Sequence, residues 1–391
     1  MNKGVRCMKL MAQRMTCNRA ISVGLIFLWM WCLLCSTERY IETVPVEHVI
    51  ESSIFDRPDP APDINAMLSS YRQVGDIHVM TFHGNFDELI DFHHDQTMKY
   101  FASQDTLNTA PIHCSLFACQ DKANHVFLGR NFDNRETDLL VGLFIPDSGY
   151  VSFGLIPMIE FRFDEKNPFD PASEAHRQLL LHSAAVTVDG MNEKGLAVTV
   201  ASVKRQHVEP DTTKPYRYLL HLKRNILDHA TDVQSAIELA SRFNVFDNGL
   251  HVIAHHILLA DASGKSVVLE WHDGRMQVLE NSGDWQIATN TAIYHRSDQE
   301  LRKKCDRYST ILRGLTSRPD TVSWKNCMDL LEGAKQINQV YHFDSGSMRV
   351  STEWSAVFDL TERSVAVCTK HRYDKVYQFG LPSLADHHDG R

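Results

Sequence analysis

Residues 114–134, CSLFACQDKANHVFLGRNFDN, and residues 182–203, HSAAVTVDGMNEKGLAVTVASV, share one construction: two apolar runs joined by a short polar turn. Runs of this length around a turn read as antiparallel strand pairs. HHILLADASGKSVVLEW, turning at 261–265, is a third, and WSAVFDL with SVAVCTKH closes the chain as a fourth. The order along the sequence is strands, then helices, then strands, without the strict alternation of a parallel doubly wound sheet. It predicts an α+β protein of antiparallel sheets packed face to face with helices outside.

The remaining elements fit around these pairs. DIHVMTF (76–82) alternates like a strand. NFDELIDFHHDQTMKYFA follows as a helix, with Phe86, Leu89, Ile90, Met98 and Phe101 on one side and Asp87 and Glu88 in its first turn. YLLHLKRNILDHA and DVQSAIELASRF are helical, the second capped by Thr231 or Asp232. MQVLE and WQIATN read as strands, SDQELRKKCDRYSTILRGL and SWKNCMDLLEGA as helices. FDRPDPAPD is a linker, and the polar SQDTLNTAPIH (103–113) is an exposed loop that ends at Cys114.

The chain opens with Lys3, Arg6, Lys9, Arg14 and Arg19 before the apolar run ISVGLIFLWMWCLLC, 21–35. Fifteen apolar residues are short for a membrane span and suit the core of an export signal. Residues 1–35 are therefore expected to be a signal peptide, with an uncleaved membrane anchor as the alternative, and the protein to be periplasmic or secreted. Lipidation at Cys35 is disfavoured by the bulk of Leu34. The net charge of −9 includes this basic leader, so the body is more acidic still, which argues against nucleic acid as a partner. Nine cysteines are present, five of them after the leader: 114, 119, 305, 327 and 368. An odd number in an oxidising compartment fits one free thiol with up to two disulfides, or five free thiols; the pairing stays open.

Taken alone, Cys114 is most simply a small buried hydrophobe. Its context adds chemistry. Arg130 and Asp133 lie on the strand that pairs with its own, and an arginine beside a thiol favours thiolate. As a solvated ion pair they would be worth little.

These residues resemble the N-terminal-nucleophile (Ntn) hydrolases of the choloylglycine hydrolase type, which include bile acid hydrolases, penicillin V acylases and isopenicillin-N acyltransferase. The family pattern is a cysteine, an arginine sixteen residues on within G-R-N-x-D, and an aspartate three further; Cys114, Arg130 and Asp133 reproduce it. DGMNEKGL (189–196) matches a second element, IATN ending at Asn290 a third, Arg307 in CDRYSTIL a fourth, and Thr352 with Trp354 and Ser355 a fifth. The resemblance runs from 114 to about 370. It implies a four-layer αββα sandwich and three segments: the leader 1–35, a prosegment 36–113 removed or nicked by autoproteolysis between His113 and Cys114, and a catalytic domain 114–391. One position departs: where bile acid hydrolases carry an asparagine lining the site, this chain has Ser202, which weakens a bile-salt reading and leaves Ser202 as a substrate-binding candidate.

The resemblance also implies roles. Freed at residue 114, the α-amine has an ordinary pKa near ~8, matched to a thiol near ~8.5, and serves as the base for its own side chain. Asp133 would orient that amine, Arg130 would lower the thiol pKa, Asn290 would donate to the oxyanion, and Arg307 would hold a polar part of the site. The expected reaction is cleavage of a linear, non-peptide C–N amide of a small molecule through a thioester. Transfer of the acyl group to an amine, or a silent binding protein that keeps the fold, are the alternatives. No zinc spacing, P-loop or dinucleotide fingerprint marks a metal or cofactor site after the leader. The pairs His93–His94 and His255–His256 read as structural, since neighbouring residues point to different faces. Homo-oligomerisation stays open.

Overall fold

A computed structural model describes residues 50–51, 64–102, 113–281, 283–318, 320–343 and 346–381. The leader 1–35, the linker FDRPDPAPD and residues 103–112 of the polar loop lie outside the described residues, as does the side chain of His113.

Two large sheets dominate. The first runs in the order β1 (Ile50–Glu51), β19 (Tyr377–Gly380), β18 (Ser364–Thr369), β17 (Gly346–Asp359), β5 (Val126–Asn134), β4 (His113–Gln120), β15 (Trp285–Ala288), with β16 (Gln339–Phe343) also on β17. The second runs β14 (Arg275–Glu280), β13 (Ser266–His272), β12 (Val252–Ala260), β9 (Ala197–His207), β8 (Asp189–Asn192), β7 (Ser152–Pro157), β6 (Leu139–Pro146), β3 (Ile77–Gly84), β2 (Arg72–Val74). The small parallel pair β10 (Tyr216–Tyr218) and β11 (Asn244–Phe246) stands apart. Within the large sheets the pairing is antiparallel except at β1/β19 and β3/β6.

The layers follow from side-chain alternation. On β4, Cys114, Leu116 and Ala118 join a core shared with Val141, Leu155, Val198 and Leu258 of the second sheet, so one face of each sheet is buried against the other. The opposite face, Phe117 and Cys119, packs against Tyr308, Ile311, Cys327 and Leu331. Those residues come from α7 (Asp306–Thr316) and α8 (Trp324–Gly333), which follow α6 (Asp298–Lys304). The second sheet is covered by α4 (Leu219–His229) and α5 (Val233–Ala240), whose Leu222, Ile226, Val233 and Ala236 are buried with Val198 and Leu259. With α1 (Ile64–Ser69), α2 (Phe86–Ala102) and α3 (Glu174–Leu180), the result is the expected αββα sandwich. Asp232 closes a capping box on α5, one of the two caps anticipated.

The segment before Cys114 is built into this sandwich. β3 lies between β2 and β6, and its Ile77, Met80 and Phe82 are at most 2% exposed. Phe86, Ile90 and Phe101 of α2 are buried too. β3 and β6 are parallel, so a crossover must join them; α2 and the β4–β5 hairpin both lie on that route.

Three elements differ from the sequence expectation. Residues Ser183–Val186 form a 3-10 turn instead of extending β8, because Ser183 Oγ donates to the Leu180 carbonyl (2.5 Å) and Thr187 Oγ1 to that of Ser183 (3.0 Å). Extended backbone at Cys305 splits one expected helix into α6 and α7. The last hairpin begins earlier, at Gly346, and β19 follows it.

Candidate active site

The β4–β5 hairpin sets the site. Its register places His113 opposite Asp133, Cys114 opposite Phe132 and Leu116 opposite Arg130. Cys114 is 2% exposed and on the inner face, so its thiol points between the two sheets. Both backbone groups of Cys114 are held, one from the segment just after β15 and the other from α7. Its N–H donates to Asn290 Oδ1 at 2.7 Å, and its carbonyl accepts from Arg307 at 2.5 Å. The Arg307 guanidinium also reaches Ser115 Oγ (3.3 Å), Asp133 Oδ2 (3.1 Å) and Asn290 Oδ1 (2.8 Å). One arginine thus fastens the second residue of β4, the buried carboxylate and the amide that holds the nitrogen.

Asp133 is fully buried and receives Thr352 Oγ1 at 2.6 Å on its other oxygen. Burial raises its carboxyl to about 6, against the pull of Arg307, Thr352 and Arg130. Thr352 reaches it because β17 pairs with β5 and places Thr352 opposite Asp133.

Arg130 points from the first sheet into the second. Its Nε lies 2.9 Å from Asp189 Oδ2, and it donates to Thr199 Oγ1 (3.3 Å) and to the Val200 carbonyl. Thr199 in turn donates to Asp189 at 2.5 Å. Sequence reasoning expected Arg130 to lower the Cys114 thiol pKa. The guanidinium does pull it down, as does the backbone N–H of Asp133, but burial outweighs both and the thiol is pushed up.

Asn290 is turned with its carbonyl to Cys114 and Arg307, while its NH2 donates to the Ser202 carbonyl at 2.8 Å. Ser202 is 4% exposed, and its hydroxyl meets His255 Nε2 at 2.9 Å. His255 Nδ1 lies 2.6 Å from Asp247, whose other oxygen accepts the Ala254 N–H. Asp247, His255 and the Ser202 hydroxyl are thus linked in one series of hydrogen bonds, and the Ser202 carbonyl carries the support on to Asn290 and Cys114. Sequence reasoning missed Asp247 and His255; only the β9/β12 register, which sets His255 opposite Ser202, brings them in. His256, on the other face, binds the buried Glu270 (2.8 Å), which also takes the backbone N–H groups of Ile293 and Tyr294 and so anchors the segment after Asn290.

The DGMNEKGL motif divides its labour. Asp189 enters the site. Asn192 closes the turn: its side chain donates to the Leu227 and Ala230 carbonyls at the end of α4 and accepts the Leu196 N–H. Gly195 adopts φ +78°, and a Cβ there would lie 2.4 Å from the Leu360 carbonyl oxygen, so the position admits only glycine. Among the described residues no group of three or more His, Cys, Asp or Glu is arranged to hold a metal.

The residues singled out in the sequence thus converge: Cys114, Arg130, Asp133, Asn290 and Arg307 surround the start of β4, and Ser202 joins through its carbonyl. The architecture is matched by a solved structure of a variant of the conjugated bile acid hydrolase from Clostridium perfringens, with TM-score 0.50 and 14% identity over 68% of this chain and 92% of that one. A penicillin V acylase structure from Agrobacterium tumefaciens aligns at TM-score 0.47 and 18% identity, covering 66% and 83%. The fold is that of the Ntn hydrolases. The family model described as acyl-coenzyme A:6-aminopenicillanic acid acyl-transferase matches residues 173–373, just over half of the chain, and the chain belongs to that family. A penicillin V acylase of Pectobacterium atrosepticum is 29% identical over 126 residues, 30% of this chain and 32% of that protein, so the match spans about a third of the relative.

Proposed function

We propose that the protein is an exported, self-processing cysteine Ntn hydrolase that cleaves a linear, non-peptide C–N amide of a small molecule through a thioester on Cys114. The observation that carries this reading is the grip on Cys114. Its nitrogen and its carbonyl are both fixed by polar side chains at a buried strand start, while its thiol is directed between the sheets. Any buried backbone N–H and C=O need partners; here the partners are Asn290 and Arg307, and Arg307 also holds the buried Asp133.

Processing and turnover share one chemistry. The Cys114 thiol adds to the carbonyl carbon of residue 113, the C–N bond breaks, and the nitrogen takes the proton, leaving a thioester and an α-amine. Water resolves the thioester to a carboxylate at 113. The freed amine then acts as base for the same thiol on an external amide. Asp133 holds the amine, and Asn290 keeps it in place from the opposite side. The family match favours a second reading in which an amine, not water, takes the acyl group. N-terminal sequencing of the purified protein, followed by product analysis on amide panels with and without added amine, separates the two. A chain still joined before CSLFAC, with no amide turned over, would overturn both.

An acidic limb in kcat/KM near pH 6 is expected, because the raised Asp133 carboxyl must be ionised to hold an ammonium. Its sign is that of a raised acid. Ionising the buried group opposes folding, so this residue's contribution to stability is present at low pH and declines as pH rises through about 6. Thr352→Val removes a hydrogen bond to the ionised form and should move the limb to higher pH. A limb that stays put would assign it to another group.

The segment before Cys114 should survive the cut. Size-exclusion chromatography of the cleaved protein is expected to carry both pieces in one peak, since β3 pairs with β6 along its whole length and buries Ile77, Met80 and Phe82. Elution of the 114–391 piece alone would show that the segment is released.

A further inference from the structure

We propose that Cys119 and Cys327 form a disulfide that ties the nucleophile strand to helix α8. Their sulfurs lie 3.9 Å apart, Cys119 on the outer face of β4 and Cys327 in the buried stripe of α8. A disulfide has sulfurs about 2.0 Å apart, so the two must approach by roughly one bond length, which small side-chain rotations can supply. The strand's alternation matters here. Cys114 and Cys119 are separated by five positions, so one thiol faces the second sheet and the other faces the helices. The cross-link would remove Cys119 from exchange with the nucleophile while leaving Cys114 reduced. The other two cysteines are placed differently: Cys368 hydrogen-bonds to Ser355, and Cys305 sits half-buried between α6 and α7.

The bond forms before the core closes, because both residues are 2% exposed or less once folded. The thiolate of one cysteine attacks a disulfide of a protein dithiol oxidant, and the second cysteine displaces that mixed disulfide. Two protons and two electrons leave the pair, and the oxidant departs as its dithiol. The ends are 208 residues apart, so the link restricts a large part of the unfolded chain. It would back the β4–β5 hairpin at a second point, since Asn131 Nδ2 already donates to the Leu331 carbonyl of α8 at 2.8 Å.

The inference does not depend on the proposed activity, and its test reads mass. The full chain with its own leader is exported into an oxidising compartment and purified without reductant. It is then denatured in iodoacetamide and mapped by peptide mass spectrometry. The expected result is one cross-linked peptide pair containing Cys119 and Cys327, with Cys114 alkylated. Refolding the reduced chain in a glutathione redox buffer should give the same pair, and Cys119→Ser should leave Cys327 alkylatable. A Cys119→Ser, Cys327→Ser variant is expected to melt about 5 °C or more below the wild type. Alkylation of both thiols in the exported and the refolded protein would overturn the proposal, as would a bridge from either cysteine to 114, 305 or 368.

Discussion

Cys114→Ala is expected to leave the chain joined across residues 113 and 114 and to abolish amide turnover, with a loss of at least about 10⁴-fold. The substitution removes a single sulfur atom from a site only 2% exposed. The hydrogen bonds to Asn290 and Arg307 belong to the backbone of residue 114 and survive it. The melting temperature should therefore change by only a few degrees, which separates lost chemistry from lost structure. Intact mass gives the first readout and a single-turnover assay the second. Cys114→Ser should keep a slow self-cleavage, because a hydroxyl can add to the same carbonyl but is far harder to deprotonate. Full cleavage of the alanine variant would assign the cut to another protease and remove Cys114 from it.

Arg307→Ala should have the next largest effect. One guanidinium serves Cys114, Ser115, Asp133 and Asn290, and it is the largest of the charges that favour the ionised Asp133 carboxyl. Without it the buried Asp133 loses its largest opposing charge, and its carboxyl rises further above its ordinary value. At neutral pH it would then be largely protonated and unable to hold the amine. The Cys114 carbonyl and the Asn290 amide also lose their shared anchor. Together these predict a fall in kcat of about 10²–10³, of the size seen when one preorganised polar contact is lost. Because the lost contacts hold Cys114, the proposed nucleophile, kcat should fall more than KM changes. Arg307→Lys keeps a charge but not the fork that spans several acceptors. It should restore the pH limb better than it restores kcat. An alanine variant with unchanged kcat would show that Arg307 is scaffolding.

Much of the site could be read from residue spacing because one hairpin sets it. A cysteine and an arginine sixteen residues apart become diagonal neighbours on one face of a hairpin only if the turn between Gln120 and Val126 forms, and its strand pairs were visible as apolar runs. Asn290 and Arg307 were less legible, since their approach depends on where β15 and α7 pack. Asp247 and His255 were not legible at all. His255 reads as half of a histidine doublet, and its meaning comes from the β9/β12 register, in a stretch where that register shifts between Ile253 and His255. The role of Asp189 was hidden for another reason. Its motif spells a tight turn, and nothing local says that Arg130 arrives from the other sheet. The direction of the Cys114 shift was misjudged because composition shows the nearby charge and conceals the depth of burial.

The location of β3 would have a consequence for the life of the protein once cut as proposed. Before the cut, β3 and β4 belong to one chain, and the parallel pairing of β3 with β6 is reached through covalent connection. After the proposed cut, the same sandwich would be an obligate two-chain assembly whose halves were never assembled from separate pieces. Unfolding would then release partners that must meet again by diffusion, the shorter one carrying exposed apolar strand. The uncut chain folds as a unimolecular process, and the cut protein would lose that route back. Processing would act as a ratchet: the active form persists for as long as it stays folded, and its lifetime is set by its unfolding rate rather than by an equilibrium with a refoldable state.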